Sequence, residues 1–128
     1  MSTIFNESKF KAELSGFTGT EEFYKNPMFP GCCYTEGVKF LARECQAYWL
    51  IDAVFSYVGK LRKHDDWFYP VKLEERENDW LLRIGDIDNP LKIEQVIEFS
   101  DFPLKDLKLF LANNEGGLGW TLMLPSEY

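Results

Sequence analysis

Halfway along this chain the spacing of apolar residues switches from a helical period to a strand period, and few architectures accommodate such a switch. Beyond His64, apolar residues alternate with polar ones: Trp67, Tyr69, Val71, Leu73; then Trp80, Leu82, Ile84; then Ile97, Phe99; then Leu107, Leu109, Leu111; and last Trp120, Leu122, Leu124. Successive side chains of a strand point to opposite faces, so this alternation predicts strands with one covered and one wet face. Lys72, Glu74, Arg83, Glu94, Glu98 and Lys108 fall on the wet side. Segments 77–79, 88–90 and 113–119 are rich in turn-forming residues and suit short antiparallel connections. Segment 100–106 contains Pro103 and is read as a site for a short helical turn.

The first half reads differently. Asn6 or Ser8 can cap a helix that buries Phe10 and Leu14, with Gly16 placed to end it in the left-handed conformation. In the following FTGTEEFYKNPMFPGCCY, Thr20 can cap one turn through Glu22 and Phe23, and Pro27 and Pro30 then break regular structure. The stretch is read as ordered loop, because its aromatic residues are costly to leave in water. Val38, Leu41, Ala42 and Cys45 form one helical stripe, and Ala47, Ile51, Val54, Phe55, Val58 and Leu61 a second. At about 100° per residue the second stripe is displaced by roughly 160° from the first, so one straight helix cannot turn both to one core. A helix over 36–45, a turn around Cys45 and Gln46, and a longer helix over 47–62 resolve the conflict; a continuous helix buried on opposite faces at its two ends is the alternative. The prediction is an α+β domain of two layers spanning 1–128, N-terminal helices packed on a C-terminal antiparallel sheet of four to five strands.

Charge narrows the functional classes. The whole chain carries −7, but residues 1–64 sum to +1 and residues 65–128 to −8. Polyanion binding calls for a basic patch, so nucleic acid and anionic membrane surfaces are disfavoured as partners. Lys60, Arg62 and Lys63 are the one short basic run that keeps nucleic-acid binding as an alternative. Three cysteines, two of them adjacent, make no disulfide framework and fit a reducing compartment. The N-terminal MSTIFNESKFKAEL has neither the basic start nor the apolar run of a secretory signal, so cytoplasm is the expected location.

No diagnostic catalytic motif is present. Cys32 or Cys33 with His64 would supply a nucleophile and a base for a small hydrolase or transferase, provided the fold brought them together. Asp52 interrupts the apolar AYWLIDAVFSY on the helix side shared by Tyr48, Trp49, Ser56 and Lys63; buried, it would be a pocket acid, and exposed, an interface residue. Adjacent cysteines are poor tetrahedral metal ligands and His64 has no partner histidine, so no metal or cofactor is expected. Gly116, Gly117 and Gly119 precede no helix and read as a hairpin turn rather than a phosphate loop; Asp86 and Asp88 lack the remaining ligand ladder of a cation loop.

The blocks FTGTEEFY, YTEGVKFLA, AYWLIDAV and LPSEY, in order along nearly the whole chain, resemble a family of short bacterial and phage-borne proteins classed as a domain of unknown function. The resemblance implies a whole-chain domain often encoded on plasmids, phages or other mobile elements, and it assigns no reaction, cofactor or catalytic residue. The resulting expectation is a non-enzymatic protein-interaction module, an accessory or counter-defence factor that occupies a partner's surface. Its interaction residues are expected to be Tyr48, Trp49 and Asp52 on the helix, and the acids Glu74, Glu75, Asp79, Asp86 and Asp88. A homodimer formed over an exposed edge strand or aromatic patch is a further expectation.

Overall fold

The change of period falls where the chain changes element type. The computed structural model describes residues 6–18, 22–63, 66–86, 89, 91–98, 100, 102–114 and 119–127. In chain order the elements are α1 (Glu7–Ser15), β1 (Phe23–Lys25), β2 (Cys32–Thr35), α2 (Glu36–Glu44), α3 (Tyr48–Ser56), α4 (Val58–Leu61), β3 (Phe68–Glu75), β4 (Trp80–Ile84), β5 (Ile93–Ile97), β6 (Asp106–Asn114) and β7 (Gly119–Met123), followed by a 3-10 turn, Pro125–Glu127. The strands form one seven-stranded sheet in the order β1-β2-β7-β6-β3-β4-β5. All pairs are antiparallel except β2–β7, which is parallel.

The fold is therefore α+β, with two corrections to the sequence reading. The sheet has seven strands rather than four to five, because β1 and β2 form where ordered loop was expected; it is also mixed rather than purely antiparallel. β1 is three residues long and β2 is four, of which three are buried, so neither is long enough to display alternation. Pro27 and Pro30 sit in the connection between these strands and end them rather than prevent them. Segment 100–106 forms bends instead of a helical turn among its described residues; Phe102 and Leu104 are buried there, with Phe102 edge-on to Trp80 at 5.9 Å.

Both helical stripes face the core. Asn6 caps α1, its Oδ1 accepting from the Lys9 amide at 3.0 Å, and Phe10 and Leu14 are buried. Gly16 ends α1 at φ −76°, in the right-handed and not the left-handed region. Thr35 caps α2, its hydroxyl accepting from the Val38 amide at 3.3 Å. The turn between the stripes is made by Gln46, at φ +51°, with the Ala47 amide donating to the Ala42 carbonyl at 2.8 Å. That single left-handed residue re-aims the chain and turns the displaced stripe back onto the same core. The helix expected over 47–62 is divided at Tyr57 into α3 and α4. The Tyr57 amide bonds the Val54 carbonyl three residues back, a tightened turn, while its hydroxyl donates to Gln95 Oε1 on β5 at 2.7 Å.

One face of the sheet supplies Tyr69, Val71, Leu73, Trp80, Leu82, Ile84, Leu107, Leu109, Leu111, Trp120 and Leu122 to a single apolar cluster with the helical stripes. The opposite face carries Lys72, Arg83, Glu94 and Lys108 toward solvent. The expected division into wet and covered faces fails locally, since Cys33, Thr121 and Ala112 lie side by side on that outer face across β2, β7 and β6 and are also buried.

Candidate functional site

The exposed side of α3 meets the β1–β2 arm in a surface built from tyrosines. Tyr48 is 45% exposed, and Asp52, one turn further on, is exposed as well. Asp52 Oδ1 accepts from Asn26 Nδ2 at 2.8 Å, and Asn26 Oδ1 accepts from the Met28 amide at 3.0 Å, an Asx turn that fixes the start of the β1–β2 connection. Met28, at its tip, is 76% exposed. Tyr34 on β2 is paired in register with Tyr24 on β1, their rings stacked at 5.7 Å. Burial, and then the neighbouring Tyr48 and Asp52, push the Tyr34 hydroxyl above its ordinary value. Tyr24 donates to Glu22 at 2.8 Å, which raises its own pKa, and Lys39 Nζ lies 4.1 Å from its ring centre. Glu22, Glu36 and Asp52 thus surround three tyrosines drawn from three elements.

Of the residues expected at an interaction surface, only Tyr48 and Asp52 stand here exposed. Trp49 is half-buried and packs on the core. The acids of the strand region are elsewhere. Glu74 lies on the outer sheet face, 3.7 Å from Lys72 and 3.6 Å from Arg83. Asp79 is held by Arg76 through two hydrogen bonds of 2.6 and 2.8 Å, and that guanidinium lowers its carboxyl pKa. Glu75 ends β3, and Asp86 lies in a turn whose backbone is fixed by Asn89 Oδ1, accepting from the Asp86 amide at 2.8 Å. Asp88 lies outside the described residues. The single expected set is therefore divided between two surfaces, and several of its acids are engaged by bases close in sequence or across a strand.

The alternative chemistries are placed as follows. Cys32, Cys33 and Cys45 are buried thiols. Burial raises the Cys32 thiol despite the opposing Arg62 guanidinium, and pushes Cys45 up to about 12. Cys33 Sγ is 3.3 Å from Thr121 Oγ1. A thiolate is the reactive form, so these shifts disfavour nucleophilic use. His64 lies outside the described residues, and Asp52 is exposed rather than a pocket acid. Lys60, Arg62 and Lys63 are all exposed; Arg62 donates to the Pro30 carbonyl at 3.2 Å and Lys60 lies 5.8 Å from the Tyr57 ring centre. Among the described residues, no three His, Cys, Asp or Glu side chains converge as metal ligands would, and no helix is long and apolar enough to cross a membrane.

The sequence reading missed Tyr24, Tyr34, Asn26 and Met28. The abundance of aromatics in 17–34 was visible, but their pairing depends on strands too short to recognise. Residues 8–128 match a family described as one of unknown function, DUF6876. No curated protein and no solved structure matches the chain.

Proposed function

The chain belongs to the DUF6876 family, whose model spans residues 8–128, and we propose that this domain is a non-enzymatic protein-interaction module that works by occupying a partner's surface. The observation that carries the proposal is the gathering of Tyr24, Tyr34 and Tyr48 around the Asn26–Asp52 hydrogen bond, beside exposed Met28. Tyrosines present large, stiff contact area with a polar end, and they anchor many protein interfaces. The surrounding Glu22, Glu36 and Asp52 favour a partner of basic character, which such a field would steer into register. A role in the cytoplasm as an accessory or counter-defence factor of a mobile element or phage belongs to the same proposal. The burial that raises the Cys32 thiol, and the exposure of Asp52, count against two of the groups a catalytic reading would use.

Tyr48 and Asp52 are exposed, so they can be changed without opening the core, whereas Trp49 cannot. Affinity capture from the native host, quantified by mass spectrometry, should compare the wild type with Tyr48→Ala and Asp52→Lys variants of wild-type circular dichroism. Partners held through this surface are expected to fall at least tenfold in both variants. Folded variants that keep every captured protein would remove the surface from consideration.

A further inference from the structure

We propose that the outer face of the sheet binds a mononucleotide-sized ligand, with its phosphate on Lys72, Arg83 and Lys108 and its base against Phe110 and Phe68. This surface is separate from the tyrosine surface and does not depend on it. Register places Lys108, Lys72, Arg83 and Glu94 directly opposite one another on β6, β3, β4 and β5, a single row across four strands. Like charges directly opposite one another destabilise a sheet, yet three cations stand here side by side. Glu94 binds Arg83 at 3.0 Å, and Glu74 bridges Lys72 and Arg83 at 3.7 and 3.6 Å. Among the described residues, Lys108 and the nearby Lys92 have no ion-pair partner. Glu74 and Glu94 thus offset Lys72 and Arg83 but not Lys108, and a like-charge row kept at that cost is where a binding function is to be sought.

The row opens onto a concavity of about 470 Å³, lined by Lys72, Arg83, Lys92 and Lys108 with Glu94, Asp86, Pro70 and Gly85. Residues 65–128 hold only six basic residues, Lys72, Arg76, Arg83, Lys92, Lys105 and Lys108, so four of the six converge on one hollow of an otherwise acidic half. Gly85 is part of that lining. It sits at φ +94°, and a Cβ there would come within 2.7 Å of the Leu91 carbonyl.

Two residues along the strands, roughly 7 Å away at about 3.4 Å per residue, the same face turns aromatic. Phe110 is opposite Pro70, Phe68 packs against it at 4.9 Å, and Trp67 meets Phe68 edge-on at 5.6 Å while remaining half exposed. Lys108 Nζ lies 5.4 Å from the Phe110 ring centre, joining the cationic and aromatic rows. Cations beside aromatic rings on an open antiparallel face are the groups that bind phosphate and stack on a base. The volume lies in the range of small-molecule sites, about 300–1,000 Å³. The chain's −7 charge repels a long polyanion more than a single nucleotide, which favours the smaller ligand.

The test titrates the full chain with the four common ribonucleoside monophosphates, inorganic phosphate and an eight-residue oligothymidylate, read by tryptophan fluorescence and calorimetry at low and high salt. At least one monophosphate is expected to bind a single saturable site, weakening with salt. Lys72→Thr and Lys108→Thr should each weaken it tenfold or more, while Lys60→Thr leaves it unchanged. Lys108→Thr should also raise the melting temperature of the unliganded protein by relieving like-charge repulsion, an effect that misfolding would not produce. Phe110→Leu should weaken the nucleotide but not inorganic phosphate. The proposal is overturned by absence of saturable binding at millimolar nucleotide, by phosphate binding as tightly as nucleotide, or by the oligonucleotide binding a hundredfold tighter than any monophosphate.

Discussion

Glu127, near the end of the chain, is expected to hold the start of α2 in place. Its Oε1 accepts from the Thr35 hydroxyl at 2.6 Å and from the Leu124 amide at 3.0 Å, and its Oε2 accepts from the Gly37 amide at 3.2 Å. A carboxylate so placed satisfies one of the amides that the first turn of a helix leaves unpaired, and it lies at the positive end of the helix dipole. Hydrogen bonds to charged groups contribute about 1.5–3 kcal/mol each, and the helix terminus about 0.3–1 kcal/mol. Glu127 is only half-buried and water can replace part of what is lost, so Glu127→Ala should cost about 2–3 kcal/mol in total. With a urea slope of about 1–3 kcal/mol/M for a domain of this size, the unfolding midpoint should fall by about 0.7–3 M at unchanged slope. Glu127→Gln keeps the shape and an accepting oxygen, and should cost about half as much. Gly37 supplies an independent check. Alanine in a helix is ordinarily more stable than glycine by about 1 kcal/mol, but a Cβ on Gly37 would come within 2.6 Å of both Glu127 Oε1 and Leu124 Cδ1. Gly37→Ala should therefore destabilise the wild type and do so less in the Glu127→Ala background, a coupling that a double-mutant cycle measures. A midpoint shift for Glu127→Ala below about 0.3 M, or strict additivity of the two changes, would refute the reasoning.

Three further outcomes are expected. Tyr69 is fully buried and its hydroxyl has no hydrogen-bond partner among the described residues, so Tyr69→Phe should stabilise by about 1 kcal/mol in the same urea assay, where a loss of stability would contradict the assignment. Cys45, neutral in the fold up to about pH 12 and titrating near its ordinary 9.0 when unfolded, makes the unfolded chain the weaker proton binder between those values. Stability should thus fall as pH rises from 9 toward 12, and Cys45→Ala should flatten that decline in chemical denaturation. Gly119 stands at φ +74°, and a Cβ there would run into the Gly31 carbonyl, which accepts from the Trp120 amide at 2.9 Å. Gly119→Ala should cost about 2–4 kcal/mol, seen in calorimetry as a melting point lower by roughly 10 °C.

The two helical stripes were legible because each covers several turns: Val38, Leu41, Ala42 and Cys45, and then Ala47, Ile51, Val54, Phe55, Val58 and Leu61, are all buried where the spacing placed them. Their phase difference located the turn now made by Gln46. The later strands were legible for the same reason, with Tyr69, Val71 and Leu73 on the covered face. β1 and β2 were not, since FYK and CCYT are shorter than any period they would have to display. The tyrosine surface was half legible. Tyr48 and Asp52 share a helix side by spacing alone, but Tyr24 and Tyr34 reach them through strand pairing that no local pattern announces. The acids at 74–79 looked like a binding stretch because they are adjacent in sequence, whereas Glu74 is met by Lys72 and Arg83, and Asp79 by Arg76. Conversely, Lys72, Arg83, Lys92 and Lys108 are scattered through an acidic half and become neighbours only through cross-strand register.

The parallel β2–β7 pairing has a consequence for biogenesis. β7 is an interior strand of the sheet, lying between β2 and β6, yet it is supplied by residues 119–123. Until those residues have emerged from the ribosome, β1 and β2 have no sheet to join, and β2 and β6 each present a raw edge able to recruit strands from other chains. A premature stop upstream of Gly119 would therefore leave a polypeptide with two sticky half-sheets. Quality-control proteases would be expected to clear such a fragment.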